Sequence, residues 1–482
     1  ISEVATKTNY VDSTVGKNYS VAPVINGVEG EKCNAVTVYN NSYFDIPLLK
    51  PDDETIYDPS GTELATYSFF PADCSTGDVD GDGEYEIIVK WTSSEHDVGS
   101  PGNPAYSGTV HLAAYKLDGT KLWKNDIELG KNVYSSAHTV QFLVYDFDGD
   151  GKDTLMVYTP GNNKNTDTVD SIKEYTFSGG KLDDGKRVIN LGDVIDGGRD
   201  ALKAMLYHDG NGDNELRAHL SVDMEVGDVD MDGIEELAMT VNVNDLKQSE
   251  YKLDGKKYTD FEKPYLTVYD YNDKNSWNQK LNEKLLNKDG GASGRARFAG
   301  VTIGYVSDAP SGSMPPEVVA VGYYDKKDNY QDCEFDKSRL LAYSYQYSTK
   351  DNSWTEKFKA TEVVTNGFTD TGTKGDDVQN PIAVAAVAAD GVNTKEYLFI
   401  SGSMYQIGTV DGNQRLSILE GSNKGHDRWL GGRLINNSGI LDYAVGNFDG
   451  NKQGMEQVYY VEYRKQETFD KQFLKIGQLY KK

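Results

Sequence analysis

GDVDGDGEYEIIVKW, running from Gly77 to Trp91, sets three aspartates at alternate positions among glycines and then breaks into an apolar run. Further copies follow: YDFDGDGKDTLMVY from Tyr145, GDVDMDGIEELAMTV from Gly227 and, more loosely, GNFDGNKQGMEQVYYV from Gly446. Carboxylates at this spacing wrap a short loop around a hard cation, and Ca²⁺ takes about six to eight oxygens at flexible geometry. In the first copy Asp78, Asp80 and Asp82 supply side-chain oxygens, the Glu84 carbonyl follows, and Glu86 closes the site from the start of the next strand. Gly81 and Gly83 permit the backbone angles that such tight wrapping needs. The third copy repeats the set with Asp228, Asp230, Asp232, the Ile234 carbonyl and Glu236. The second keeps Asp146, Asp148, Asp150 and the Lys152 carbonyl, with Thr154 at the closing position. The last offers Asn447, Asp449 and Asn451, and its glutamate is displaced to Glu456. About two to four Ca²⁺ ions are therefore expected. An EF-hand is excluded, because it needs a glutamate at position twelve and flanking helices. Here that position is Val89, Val157 or Met239, each within an apolar run.

The runs on either side of each loop are β-forming, so the loop joins two strands. Each unit then continues with a second strand pair joined by a polar turn, clearest in VHLAAYKLDGTKLWKNDIEL, where Asp118-Gly119 makes a tight hairpin. Weaker echoes of the loop occur at Ile303–Asp308 and Val387–Asp390. Antiparallel units of four strands, recurring along the chain, are the format of a β-propeller blade. The expected fold is all-β: a seven-bladed propeller over residues 61–482, with eight blades as the alternative. Residues 1–60 read as an extension or small β appendage, able to donate a closing strand such as Ala35–Tyr39.

A formal charge of −27 over 482 residues argues against nucleic acid as a partner, since a basic patch would be required. Part of that excess lies in the acidic loops, and the rest reads as a solvated surface. Three cysteines, Cys33, Cys74 and Cys333, are too few and too odd for a disulfide framework. Either Cys33 pairs with Cys74, or all three are buried thiols. Calcium loops of this kind fill outside the cell, where the ion is abundant. No apolar run approaches the ~18 residues of a membrane span. With Ile1 at the start, the chain reads as a processed, secreted or surface-exposed bacterial protein, and we expect a monomer.

These loops resemble the FG-GAP repeats of integrin-type propellers. A closer likeness joins IPLLKP from Ile46, GDVDGDGEYEIIVKW, YSGTVHLAAYKLDGTKLW and SAHTVQFLVYDFDGDGK. Together these resemble family 11 rhamnogalacturonan lyases, most strongly over residues 44–160. PYLTVYDY from Pro264, SGRARF from Ser293 and EVVAVGYYD from Glu317 extend the likeness more thinly. The resemblance implies an extracellular calcium propeller acting on or near pectic polysaccharide. β-Elimination needs a base and cationic groups to hold the developing enolate. Candidates implied by the likeness are His138, Arg295, Arg297, Tyr323 and Tyr324. The family strand carries arginines around its GYY, whereas here Val321 and Asp325 flank that triplet. Three readings follow: a non-catalytic module binding carbohydrate or a surface protein, an active polysaccharide lyase, or a scaffold within a larger surface protein. For the first, Trp91, Trp277, Trp354 and Trp429 are the pool of sugar-stacking rings, packing within the sheets being their alternative role.

Overall fold

The computed structural model describes residues 16–37, 46–57, 61–93, 109–129, 140–159, 170–206, 220–243, 250–253, 256–259, 264–272, 276–285, 295–325, 339–360, 383–401, 405–410, 416–421, 429–430, 433–434, 438–447 and 453–464. Among them the chain is antiparallel β-sheet with one α-helix, Gly198–Leu206, and no helix long and apolar enough to cross a membrane. Five sheets share one plan, four antiparallel strands. Sheet I is Phe69–Gly77, Glu86–Ser93, Val110–Tyr115 and Ile127–Leu129. Sheet II is Phe142–Tyr145, Thr154–Thr159, Ser171–Tyr175 and Lys186–Asn190. Sheet III is Leu220–Gly227, Glu236–Val243, Tyr265–Asn272 and Ser276–Lys284. Sheet IV is Arg295–Gly304, Glu317–Asp325, Arg339–Ser348 and Ser353–Ala360. Sheet V is Ala383–Val387, Tyr397–Ser401, Tyr405–Val410 and Leu416–Gly421. Ser438–Gly446 pairs with Gln457–Arg464 as a sixth, two-stranded sheet. Each of the six carries, after its first strand, one of the loops or loop echoes legible in the sequence, and no seventh unit occurs among the described residues.

Successive sheets bury their faces against one another. Ile88, Leu112 and Ala114 of sheet I join Leu155, Val157 and Tyr175 of sheet II in one core. The opposite residues of sheet II, Met156, Tyr158 and Ile172, pack with Leu237, Met239 and Val241 of sheet III. The same alternation links sheets III and IV through Val268 and Val318, and sheets IV and V through Val319 and Leu398. A strand covered on both faces needs apolar residues at every position. That is why IIV, LMV and VVAV are runs and not alternations. The outer face of sheet I is covered by a hairpin, Glu54–Tyr57 with Glu63–Tyr67, whose Ile56 and Tyr67 pack on Val89, Trp91 and Ala113. This hairpin straddles the boundary expected at residue 60. Val36–Thr37, within the expected closing strand, pairs with Asn18–Tyr19.

At three junctions the loop after the first strand is tied to the next sheet by a reciprocal clasp. Asp78 N–H donates to Asp153 Oδ2 at 2.6 Å, and Asp153 N–H donates back to the Asp78 carbonyl at 2.9 Å. Tyr305 and Glu396 repeat this at 2.7 and 2.9 Å, and Ala388 and Glu456 at 2.8 and 3.1 Å. In all three cases the acid immediately precedes the second strand of the following sheet. Gly77 makes the approach possible: a Cβ there would meet Val144 and, at 2.6 Å, Asp153 Oδ2. Sheet II ends its first strand in Tyr145, and the corresponding acid, Glu235, bonds to the Tyr145 hydroxyl. Between sheets III and IV the position is held by Pro316.

No disulfide joins Cys33 and Cys74, and both are exposed thiols, so neither pairing nor burial holds for them. The Cys33 sulfur accepts the Val21 N–H at 3.2 Å. Cys333 and the polar stretches at 99–108, 162–169 and 366–379 lie outside the described residues. Removing a charged acceptor from a clasp leaves a backbone N–H unsatisfied. Asp153→Ala is therefore expected to lower the unfolding free energy by about 2 kcal/mol. Glu235→Ala, which breaks no clasp, should cost under about 1 kcal/mol. Urea unfolding of the two variants checks this, and equal losses would remove the clasp's special role.

Candidate metal centres

The first three acidic loops build the same cage of hydrogen bonds. The first aspartate accepts the N–H groups four and five residues on, Asp82 and Gly83 onto Asp78 at 3.0 and 2.8 Å, and Asp78 also accepts that of Gly81 at 2.7 Å. Asp150 and Gly151 bond Asp146 likewise at 3.2 and 2.9 Å, and Asp232 and Gly233 bond Asp228 at 3.1 and 3.1 Å. Asp82, Asp150 and Asp232 then cap the N–H of Glu84, Lys152 and Ile234, each at 2.9 Å. The left-handed angles needed fall on Gly81 and Gly83, with φ of 74° and 88°, and on Gly149 and Gly151. The third loop demands the same of Met231, at φ 62°, a conformation that costs an L-residue about 1 kcal/mol.

These cages bring carboxylate oxygens within 4.8 Å of one another in three groups: Asp78, Asp80, Asp82; Asp146, Asp148, Asp150; and Asp228, Asp230, Glu236. Such all-oxygen donor sets are those that hard divalent cations take. Burial raises the carboxyls of Asp148 and Asp230, and neighbouring aspartates add to it. Glu86 stands apart from the first group and Asp232 from the third. Glu84, Lys152 and Ile234 follow the third aspartate of their loops by two residues. Glu456 serves the clasp on Ala388, and Asn447 is described, whereas Asp449 and Asn451 lie outside the described residues.

A buried glutamate at the start of the second strand sets the charge of the first and third centres. Glu86 Oε2 accepts the Val79 N–H at 3.1 Å and Glu236 Oε2 accepts that of Val229 at 2.7 Å, both side chains being 1% exposed. Beside Glu86, Lys116 Nζ lies 2.8 Å from Asp80, 2.7 Å from Asp82 and 3.8 Å from Glu86 Oε1. Hydrogen bonds to Asp80 and Asp82 hold the Lys116 ammonium above its usual range. Extending the sheet III register by one residue from the Leu237–Tyr269 pair puts Asp270, an acid, where sheet I has Lys116. Asp270 is paired with Lys280 at 2.8 Å, and Glu236 Oε1 is buried with no hydrogen-bond partner. A buried, unpartnered carboxylate oxygen facing two aspartates fits a bound cation.

Glu317 of sheet IV is the same residue, and sequence reading missed it. Its loop has Tyr305 and Ser307 in place of the first two aspartates and is lengthened before Glu317, which hides the alignment. There Ser307 N–H and Oγ each donate to Glu317 at 2.8 Å, and Ser344 Oγ adds a third bond.

Of the other candidates, His138 lies outside the described residues. Arg295 and Arg297 lie in the first strand of sheet IV, where the register sets Arg297 opposite Tyr323, Ala296 opposite Tyr324 and Arg295 opposite Asp325. Trp91 is buried, donating to Tyr115 at 3.2 Å, while Trp277 and Trp354 pack on the sheet cores. Trp429 lies in a short strand paired to Arg433–Leu434.

Residues 43–215, which contain the first two acidic loops, match the family model of the rhamnogalacturonan lyase family 11 C-terminal domain. Over 159 residues the chain is 44% identical to rhamnogalacturonan endolyase YesW of Bacillus subtilis (strain 168), covering 33% of this chain and 24% of that protein. It is 40% identical over 158 residues to the exolyase YesX of the same organism, covering 32% and 24%. The match thus spans 24% of the length of either curated relative. The solved structure of YesW aligns over 96% of this chain and 81% of that one at 20% identity, with a TM-score of 0.47. A Bacillus licheniformis rhamnogalacturonan lyase aligns over 95% and 81% at 20% identity and the same TM-score of 0.47. The sequence matches support the likeness to family 11 lyases and do not bear on the integrin-type one.

Burial drives the Glu236 carboxyl up to about 8, ahead of repulsion from the loop aspartates. Its folded value thus exceeds the unfolded one, so in chelator-treated protein this contribution is full below the unfolded carboxylate range near pH ~4.3 and is lost as pH rises through about 8. Melting curves in chelator should fall over that window, and Glu236→Gln should flatten the fall. An unchanged slope in the variant would place the titration elsewhere.

Proposed function

We propose that this chain is a calcium-pinned β-propeller module of a secreted bacterial protein, related to rhamnogalacturonan lyases, that binds pectic or similar polysaccharide without cleaving it. The observation that carries the metal reading is the third loop, where Glu236 leaves a buried oxygen unpartnered toward Asp228 and Asp230. Calcium suits that donor set, and the ion would supply the positive charge the loop lacks. The non-catalytic reading rests on sheet IV. Val321 and Asp325 flank Gly322-Tyr323-Tyr324 in its second strand where the family sequence carries arginines, and β-elimination needs cationic groups for the developing enolate.

For the ring, we read the hairpin of residues 54–67 as the outer half of the last sheet, completing the pair 438–446 and 457–464. It covers the face of sheet I that would meet a sixth neighbour, as each sheet covers the next. Deleting residues 54–67 should then expose that face and cause aggregation. A soluble variant with an unchanged melting temperature would refute the closure.

Calcium should raise the melting temperature, since a ligand of the folded state stabilises it by mass action. The third loop should bind more tightly than the first, where Lys116 already sits. Lys116→Met is expected to strengthen the first site roughly tenfold by removing a competing charge, read by calorimetric titration. No heat with calcium in either protein would remove the metal reading. Binding to rhamnogalacturonan that disappears with chelator, and no rise in unsaturated-uronide absorbance, is the expected functional result. An absorbance rise would establish the second reading, an active lyase, which the 44% identity to an endolyase favours.

A further inference from the structure

Between sheet I and the covering hairpin lies a charged group that none of the metal centres uses. His111, in the third strand of sheet I, is 6% exposed. Its Nε2 is 3.0 Å from Glu54 Oε1 of the hairpin, and its Nδ1 is 3.4 Å from Asp126 Oδ2. The edge of the Phe69 ring packs against the imidazole at 4.7 Å. Glu54 also accepts from Thr109 Oγ1 at 3.0 Å and from the Tyr67 hydroxyl, so its charge is held in place from the other strand of the hairpin and from sheet I. Asp126 is paired with Lys121 at 2.7 Å. Tyr115, which feels the charge of Asp126, and the exposed Glu128, directly opposite His111 in the strand register, complete the titratable groups around the ring. The Tyr115 hydroxyl donates to the Leu49 carbonyl at 2.8 Å.

A neutral imidazole has one N–H and one lone pair, so it can donate to Glu54 or to Asp126 but not to both. The imidazolium donates to Glu54 and at the same time sets a charged Nδ1–H, otherwise without a hydrogen bond, 3.4 Å from Asp126. With His111 charged, the set of Glu54, Asp126, Lys121 and His111 is neutral; without that proton it is one negative charge out of balance in a buried place. We propose that His111 is a pH-sensitive latch that fastens the hairpin of residues 54–67, and with it the N-terminal segment, to sheet I in mildly acidic solution and loosens it as the solution becomes alkaline. Burial alone lowers the histidine, but the hydrogen bonds and charges of Asp126 and Glu54 outweigh it, and the ring titrates above its ordinary value. A raised folded value means that the latch is complete below the unfolded histidine value near pH ~6.5 and is lost as pH rises through the folded one. At the acid end Glu54 is held below the ordinary carboxylate range, so the latch fails only when pH falls through that lowered value.

The latch is independent of whether the loops hold metal, and its test can be run in chelator. The His111 ring resonance, assigned with His111→Gln, is titrated in the full chain by proton–carbon NMR. A value above about 6.5 is expected, and one at or below it overturns the proposal. Amide exchange of residues 54–67, corrected for intrinsic rates, should lose protection roughly tenfold per unit by which the histidine is raised as pH goes from about 6 to about 8.5. In His111→Gln and Glu54→Gln that dependence should vanish. A variant that keeps the wild-type dependence refutes the latch. Should neither variant fold, the ring is assigned by its through-space contact with Phe69, and the wild-type titration still decides.

Discussion

The clasp between a loop backbone and the acid of the next sheet governs where everything else in this chain can sit. A stack of sheets held by apolar faces alone is free to slide, because hydrophobic contact is non-directional. The paired bonds of Asp78 with Asp153, Tyr305 with Glu396 and Ala388 with Glu456 are directional and fix the approach of one sheet to the next at its loop end. They also hold the first residue of the first acidic loop. Asp78 therefore presents its carboxylate to the cage from a backbone anchored by the neighbouring sheet, and sheet packing and loop geometry become one structure.

Where the clasp is absent, the substitution can be traced. Tyr145 puts a ring where Gly77 leaves space, and Glu235 satisfies the hydroxyl in place of the loop N–H. Pro316 has no acid to offer, and there Gly227 packs on Ile303, which a Cβ would meet at 3.0 Å. The second and third acidic loops thus lack the external tie that the first one has. Their shared internal bonds, repeated three times with nearly the same distances, show that the cage shape comes from the loop sequence itself.

Much of this was legible. Alternating aspartates and glycines announced the cages, and six loop echoes marked six sheets in order. What stayed hidden was relational. Asp153, Glu396 and Glu456 look like surface acids in the sequence, or, for Glu456, like a ligand of its own loop, and only the neighbouring sheet gives them a partner. Glu317 was concealed by the longer loop before it. The covering hairpin escaped notice because residues 54–67 carry no acidic loop, and its role depends on the bare face of sheet I. Lys116 and Asp270 were unremarkable until the strand register placed each beside a buried glutamate.

That buried glutamate poses one electrostatic problem, and the fold answers it differently in each sheet. An ionised carboxylate removed from water must gain a counter-charge, a proton or strong hydrogen bonds. Glu86 has Lys116 for a counter-charge, and burial with the nearby Asp80 still pushes it up to about 7. Glu317 has three donors from two serines, a neutral solution that leaves no call for a cation. Thr154 removes the charge altogether and donates its hydroxyl to the Tyr145 carbonyl at 3.2 Å. Glu236 has one N–H on one oxygen and nothing on the other, with Asp230 and Asp270 close by and Lys280 committed to Asp270. Within a single repeated scaffold, the third centre is therefore the one whose charge is left for something outside the chain to balance.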